Sequence, residues 1–136
     1  MIAHPKCTCT KASLEELSEV MRRAPATRAY VLFVIPEGVS SAWEHTELFD
    51  RARSIPGVEI VLDRGGVEAT RFGAKVSGHV EVFDRAGVRR FSGGITGSRG
   101  HVGDNIGLDR VVALLRGAVP DADHSHVFGC GLEDPS

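Results

Sequence analysis

The 136-residue sequence has few cysteines and no long apolar run, and each shortage excludes a class of protein. Three cysteines are too few, and odd in number, for a scaffold stabilised by disulfides. No apolar stretch approaches the roughly 18 residues of a membrane-spanning helix. The first residues also lack the basic and then apolar pattern of a secretory signal. We therefore expect a cytoplasmic protein with no membrane partner.

Excess charge of one sign is also absent. The formal net charge is −2 at pH 7, and the basic side chains are scattered along the chain rather than clustered. This distribution excludes the basic surface that nucleic-acid binding requires. Hydrophobic residues make up 42% of the chain, and a single domain of this length buries a sufficient core without a metal.

The pattern of apolar residues predicts alternating strands and helices. The run AYVLFVI at 29–35 is typical of a strand covered on both faces, and 58–63 reads as the next strand. Strands 79–84 and 88–94 flank a turn at 84–87. The predicted fold class is α/β: a three-layer sandwich with a mixed sheet, a short first strand at 1–4, a C-terminal β-hairpin and a terminal helix.

Capping residues predict where the helices begin. Ser13 and Glu16 form an S-x-x-E capping box, with Thr10 as an alternative cap, for a helix that ends before Pro25. A second capping box, Ser41 and Glu44, predicts a helix that runs to about Ser54. A short helix is predicted at 67–72, and Asp104 is predicted to cap the last helix.

Cys7 and Cys9 lie where the first strand passes into the first helix. A thiol at a helix N-terminus meets the positive end of the helix dipole, and Lys6 and Lys11 add positive charge. Both effects favour the thiolate, so we predict an exposed, nucleophilic sulfur at position 7. Two alternatives stay open. The cysteines could be inert buried side chains, or His4, Cys7 and Cys9, with Cys130 as a further ligand, could hold Cu(I) or Zn.

Three segments carry a resemblance: HPKCTCTKASLEEL near the start, RFGAKVSGHVEVFDRAGVRRFSGGITGSRGHVGDN in the second half, and VFGCGL in the tail. They resemble an uncharacterised bacterial family of thioredoxin-like proteins. The resemblance implies a thioredoxin-like domain at 1–118 and a tail at 119–136 that carries Cys130. Family members often have a longer N-terminal part with a membrane anchor, which implies an extracytoplasmic location if the natural chain extends upstream.

The resemblance also implies roles for residues. Cys7 takes the place of the attacking thiolate, and Thr10 takes the place of the resolving cysteine of a C-x-x-C motif. Cys9 is therefore the favoured resolving thiol and Cys130 the less favoured one, brought close if Val127 and Phe128 dock the tail. Ser77 and Gly78 stand where thioredoxins place a cis-proline, so Thr10, Ser77 and Gly78 are expected to line the substrate groove.

The glycine-rich segment 93–104 lacks the G-K-[ST] ending of a phosphate-binding loop, and we interpret it as a connection. Arg99 and His101 are not needed for a turn. If this loop passes near the cysteines, Arg99 would stabilise a thiolate or bind an anionic substrate group, and His101 would carry protons. The alternative for both is surface hydrogen bonding.

These residues predict a thiol–disulfide oxidoreductase, or a peroxiredoxin-like thiol enzyme, that needs no cofactor. Its substrate would be a protein disulfide, a small-molecule disulfide or a peroxide. The alternative functions are the copper or zinc module and a catalytically silent interaction domain.

Overall fold

A computed structural model describes residues 1–133. Along the chain the elements are β1 (Ile2–Ala3), α1 (Thr8–Arg23), β2 (Ala29–Ile35), a 3-10 helix (Ser41–Glu44), α2 (Glu47–Arg53), β3 (Val58–Arg64), α3 (Val67–Arg71), β4 (Val80–Phe83), β5 (Arg89–Gly93) and α4 (Ile106–Leu115). The predicted α/β class is confirmed, and the predicted strands lie within one residue or two of the observed ones.

The strands form two sheets that meet at β1, where a single mixed sheet was predicted. Strands β1, β2 and β3 are parallel in the order β1-β2-β3, and β4 pairs with β5 as an antiparallel hairpin. An antiparallel bridge joins Ile2 to His79, just before β4. The N–H of Ile2 donates to the carbonyl of His79 at 2.8 Å, and the N–H of Gly78 donates to Ile2 at 2.9 Å. The end of β1 and residues 77–79 are thereby fixed side by side.

From residue 31 onward strand β2 is covered on both faces, as its apolar sequence predicts, whereas Tyr30 near its start is exposed. Val31, Phe33 and Ile35 belong to the main core with residues of α1, α2 and α4. Val34 points to the other face, where a smaller cluster contains Ala69 of α3. Successive side chains of a strand point to opposite faces, so the covered part of this central strand, residues 31–35, needs an apolar residue at every position. Among the described residues, no helix is long and apolar enough to cross a membrane.

The predicted helix starts are wrong in three places. Helix α1 begins at Thr8 with Cys7 as N-cap, so Thr10 and the capping box of Ser13 and Glu16 lie inside the helix. Residues 41–54 form a 3-10 turn and the separate helix α2 instead of one helix. Asn105 rather than Asp104 caps α4, since its side chain accepts the N–H of Leu108 at 2.9 Å.

Asp63 at the end of β3 holds the start of α3. Its carboxylate is buried and accepts the backbone N–H groups of Glu68 at 3.0 Å and Ala69 at 2.8 Å. We expect Asp63→Ala to lower the free energy of unfolding by about 1–3 kcal/mol, because both N–H groups lose their acceptor. Urea unfolding checks this. Glu59→Ala, at an exposed site of the same strand, is the matched control, and equal effects of the two changes would contradict this role.

Candidate functional site

Cys7 is positioned by the first turn of α1. It is the N-cap residue: its carbonyl accepts the N–H of Thr10 at 3.0 Å, and its own N–H donates to His4 at 3.4 Å. The predicted place at a helix N-terminus is confirmed. The predicted exposure is wrong, because only 3% of Cys7 is accessible to solvent. The C-terminal tail covers Cys7, and the sequence pattern did not predict where this tail lies.

Cys7 is bonded to Cys130, with the two Cα atoms 6.1 Å apart. The sequence favoured Cys9 as the partner, and the structure instead joins Cys7 to the cysteine ranked second. Cys9 is free and half-buried, and it is the second residue of α1. The three sulfur atoms all lie within 4.8 Å of one another. The cluster therefore holds one disulfide and one thiol within reach of sulfur exchange.

Thr10, Ser77 and His4 form a buried hydrogen-bonded group beneath the cysteines. The Ser77 hydroxyl accepts the N–H of His4 at 2.8 Å and lies 2.8 Å from the Thr10 hydroxyl, which donates to the His4 carbonyl at 2.9 Å. Thr10 and Ser77 are almost fully buried. With the tail in place they tie β1, α1 and residues 76–78 together rather than form an open groove.

Gly78, the third residue predicted for the groove, is in the left-handed region at φ 98°. A Cβ atom at this position would lie 2.7 Å from the Ser13 hydroxyl of α1, so only glycine fits. The peptide bonds of the described residues are all trans, including that between Ser77 and Gly78.

Arg99 reaches the cluster and His101 does not. The exposed Arg99 guanidinium lies 3.5 Å from the Cys130 sulfur, where a cation stabilises a thiolate. The His101 backbone N–H donates to Ser98 at 3.3 Å, and the side chain is exposed. Within residues 1–133, no hydrogen bond or ion pair joins the His101 ring to a sulfur.

Glu16 is a functional candidate that the sequence analysis missed. It is 3% exposed, and its two carboxylate oxygens accept the N–H of Gly103 at 3.1 Å and the side-chain amide of Asn105 at 3.3 Å. Burial raises the pKa of this carboxyl, while the hydrogen bond from Gly103 acts in the opposite direction. Glu16 thus fastens the loop that carries Arg99 to the helix that begins at Cys7.

A metal site with His4 as ligand, the alternative raised by the sequence, does not match this geometry. Among residues 1–133, the side chains whose ligand atoms cluster are Cys7, Cys9 and Cys130. His4 is 1% exposed, and its Nδ1 accepts the N–H of Lys6 at 3.0 Å. Three sulfurs are a donor set for Cu(I) or Zn only after the disulfide is reduced.

The described part of the tail, up to residue 133, contributes one deeply buried side chain, and it is neither of those predicted. Val127 and Phe128 are half-buried, whereas Leu132 is 4% exposed and packs with Ile2, Val34, Ala69 and Ala74. Leu132 was missed because a single leucine in a short polar segment has no periodicity to reveal it.

Comparisons with known proteins support the fold alone. One structural relative, an uncharacterised conserved protein from Geobacillus kaustophilus, is 20% identical; the alignment covers 100% of this chain and 76% of the other, with a TM-score of 0.66. No protein-family model and no curated protein matches the sequence.

Proposed function

We propose that the protein is a thiol–disulfide redox protein on a thioredoxin-like scaffold, with Cys7 and Cys130 as its exchanging pair. The observation that carries the proposal is the packing of three sulfurs within 4.8 Å at the N-terminus of α1. A thiolate at Cys7 is stabilised by the helix dipole, and a thiolate at Cys130 is stabilised by Arg99.

Reduction of the protein begins at Cys130. A thiolate of an external dithiol attacks the half-buried Cys130 sulfur, since Cys7 is covered. The bond between Cys7 and Cys130 breaks, and its electron pair stays on Cys7, which is the better leaving group because of its place at the helix end. The second thiol of the dithiol then displaces Cys130. The dithiol leaves as a disulfide, and the protein gains two electrons and two protons.

The reduced protein returns these electrons to a substrate disulfide. The Cys7 thiolate attacks one substrate sulfur and the other leaves as a thiolate, which takes up a proton. The Cys130 thiolate then attacks Cys7, restores the disulfide seen in the structure and releases the first substrate sulfur. A peroxide would instead convert Cys7 to a sulfenic acid, with Cys130 displacing water in the resolving step.

The resting thiols and the acidity of Cys7 test this proposal. Mass spectrometry of the unreduced protein should find Cys9 alone alkylated and a linked pair of peptides containing Cys7 and Cys130. In a Cys9→Ser/Cys130→Ser protein, Cys7 should alkylate with a pKa at least about one unit below the ordinary value near 8.5. The same protein unfolded in urea is the control. A pKa equal to the unfolded value would refute the redox role.

A second candidate, a soft-metal module, rests on the same three sulfurs. Fully reduced protein should then compete for Cu(I) with a chelator of micromolar affinity or better. The geometry predicts that Cys9→Ser and Cys130→Ser each weaken binding, whereas His4→Ala does not. Binding too weak to compete with the chelator would remove this candidate.

A further inference from the structure

We infer that residues 129–132 occupy, within this chain, a groove that also accepts an extended cysteine-containing peptide from a partner protein. The inference rests on the proposed function and names its substrate class: a partner segment with glycine directly before its cysteine and a leucine-sized apolar residue two positions after it. Three features of the docked tail carry the inference.

The first feature is backbone pairing that begins at Cys130 and continues to Leu132. The N–H of Ser77 donates to the Cys130 carbonyl at 2.8 Å, and the N–H of Leu132 donates to the Lys75 carbonyl at 2.9 Å. Val76 and Gly131 form an antiparallel bridge between these bonds. Residues 75–77 therefore bind the tail through main-chain groups, which any extended peptide can supply.

The second feature is the close approach at Gly129. A Cβ atom added there would collide with the Ser77 carbonyl oxygen, and it would also lie 3.4 Å from a methyl group of Val76. Ser77 is buried and cannot retreat, because its hydroxyl is bonded to His4 and Thr10. The groove thus selects glycine at the position before the cysteine.

The third feature is the pocket that holds Leu132. The side chain lies among Ile2, Val34, Ala69 and Ala74, at one wall of a cavity of about 780 Å³. Lys75 and Glu37 line this cavity together with apolar residues. The residues that pack against Leu132 itself are apolar, so this position accepts a leucine-sized apolar side chain.

The tail can leave this groove while its earlier part stays attached. Arg110 binds Asp121 at 2.9 Å and the His124 carbonyl at 2.6 Å, so the segment before residue 126 has its own contacts with α4. Once the disulfide is reduced, residues 129–132 are held by the two backbone hydrogen bonds, the Leu132 side chain and the contact between Arg99 and the Cys130 sulfur. A partner peptide with the same features competes for the same groups.

The test uses three heptapeptides and a full-length protein whose groove is open. The protein carries Cys9→Ser, Cys130→Ser and Leu132→Asp, so Cys7 is its remaining thiol and its own tail no longer fills the pocket; a second protein with Leu132→Ala replaces it if the aspartate prevents folding. The peptides have the sequence of residues 127–133, unchanged, with Gly129→Ala, or with Leu132→Asp. Each carries thionitrobenzoate on its cysteine. Attack of the Cys7 thiolate on the peptide sulfur breaks that disulfide and releases the coloured thionitrobenzoate anion.

The unchanged peptide should react at least about tenfold faster than either substituted peptide, because Gly129→Ala introduces a collision with the Ser77 carbonyl and Leu132→Asp removes the apolar contact. A small aromatic disulfide measures the intrinsic reactivity of Cys7. Normal reactivity with that compound, together with three peptide rates within about twofold, would overturn the inference and leave the redox function standing. A Cys7 thiol unreactive toward the small disulfide as well would overturn both.

Discussion

Replacing Cys7 with serine is expected to lower the rate of disulfide reduction by roughly 1000-fold or more, because the attacking sulfur is removed. Cys9→Ser is the matched control. It removes a thiol of the same cluster but leaves the bonded pair intact, so its rate should stay within about threefold of the parent rate. The measurement is reduction of a model disulfide by an external dithiol with catalytic amounts of protein.

Comparison of Cys9→Ser with Cys130→Ser also shows which cysteine resolves the mixed disulfide. With Cys130→Ser, the first attack proceeds but release by the protein's own thiol is blocked, so in the absence of the external dithiol mass spectrometry should find the substrate attached to Cys7. A large loss of rate in Cys9→Ser, with little loss in Cys130→Ser, would contradict the pairing used here. Folded parent protein that reduces neither disulfides nor peroxides would favour the catalytically silent interaction domain.

Reduction of the disulfide is expected to lower the free energy of unfolding by roughly 5 kcal/mol. The bond joins residues 123 positions apart in sequence, so it closes most of the chain into one loop. Closing so long a loop removes much conformational freedom from the unfolded chain. Urea unfolding with and without a thiol reductant measures the difference.

Two variants make this stability test specific. Cys130→Ser should unfold at the same urea concentration with and without reductant, close to the reduced parent. Cys9→Ser should keep the full difference, since Cys9 is outside the bond. A parent protein whose unfolding is insensitive to reductant would show that the disulfide does not constrain the unfolded chain.

Strands were predictable from the sequence because their signal is local. The unbroken apolar run of β2 predicts a strand covered on both faces, and the turn at 84–87 predicts the hairpin. Within that turn Asp84 accepts the N–H groups of Ala86 at 2.9 Å and Val88 at 3.0 Å, the contacts for which aspartate is favoured in turns.

The start of α1 was not predictable by the same means. The capping-box pattern of Ser13 and Glu16 is present, but both side chains are used in tertiary contacts inside the helix. Ser13 lies against Gly78, and Glu16 binds residues 103 and 105. An acidic residue on the apolar side of an amphipathic helix was the available signal, and it indicated a buried partner rather than a cap.

The place of the tail was beyond local patterns for a different reason. Its contacts are with residues far away in sequence, such as the pairing of Leu132 with Lys75 and of Ser92 with Asp123. The resemblance drew attention to Cys130 and Arg99, and the structure puts their sulfur and guanidinium 3.5 Å apart. The motif does not predict whether Cys9 or Cys130 is bonded to Cys7, because that pairing depends on where the tail packs against the rest of the protein.

The earlier part of the tail also shields the outer border of β5. Ser92 donates its N–H to Asp123 at 3.0 Å and accepts the N–H of Ser125 at 3.3 Å, groups that would otherwise be open to a neighbouring molecule. At the opposite border, β3 exposes the charged side chains of Glu59 and Arg64. Unsatisfied strand borders promote aggregation. Resistance to aggregation and thiol–disulfide exchange therefore both depend on the C-terminal tail. Loss of the tail would cause precipitation as well as loss of exchange.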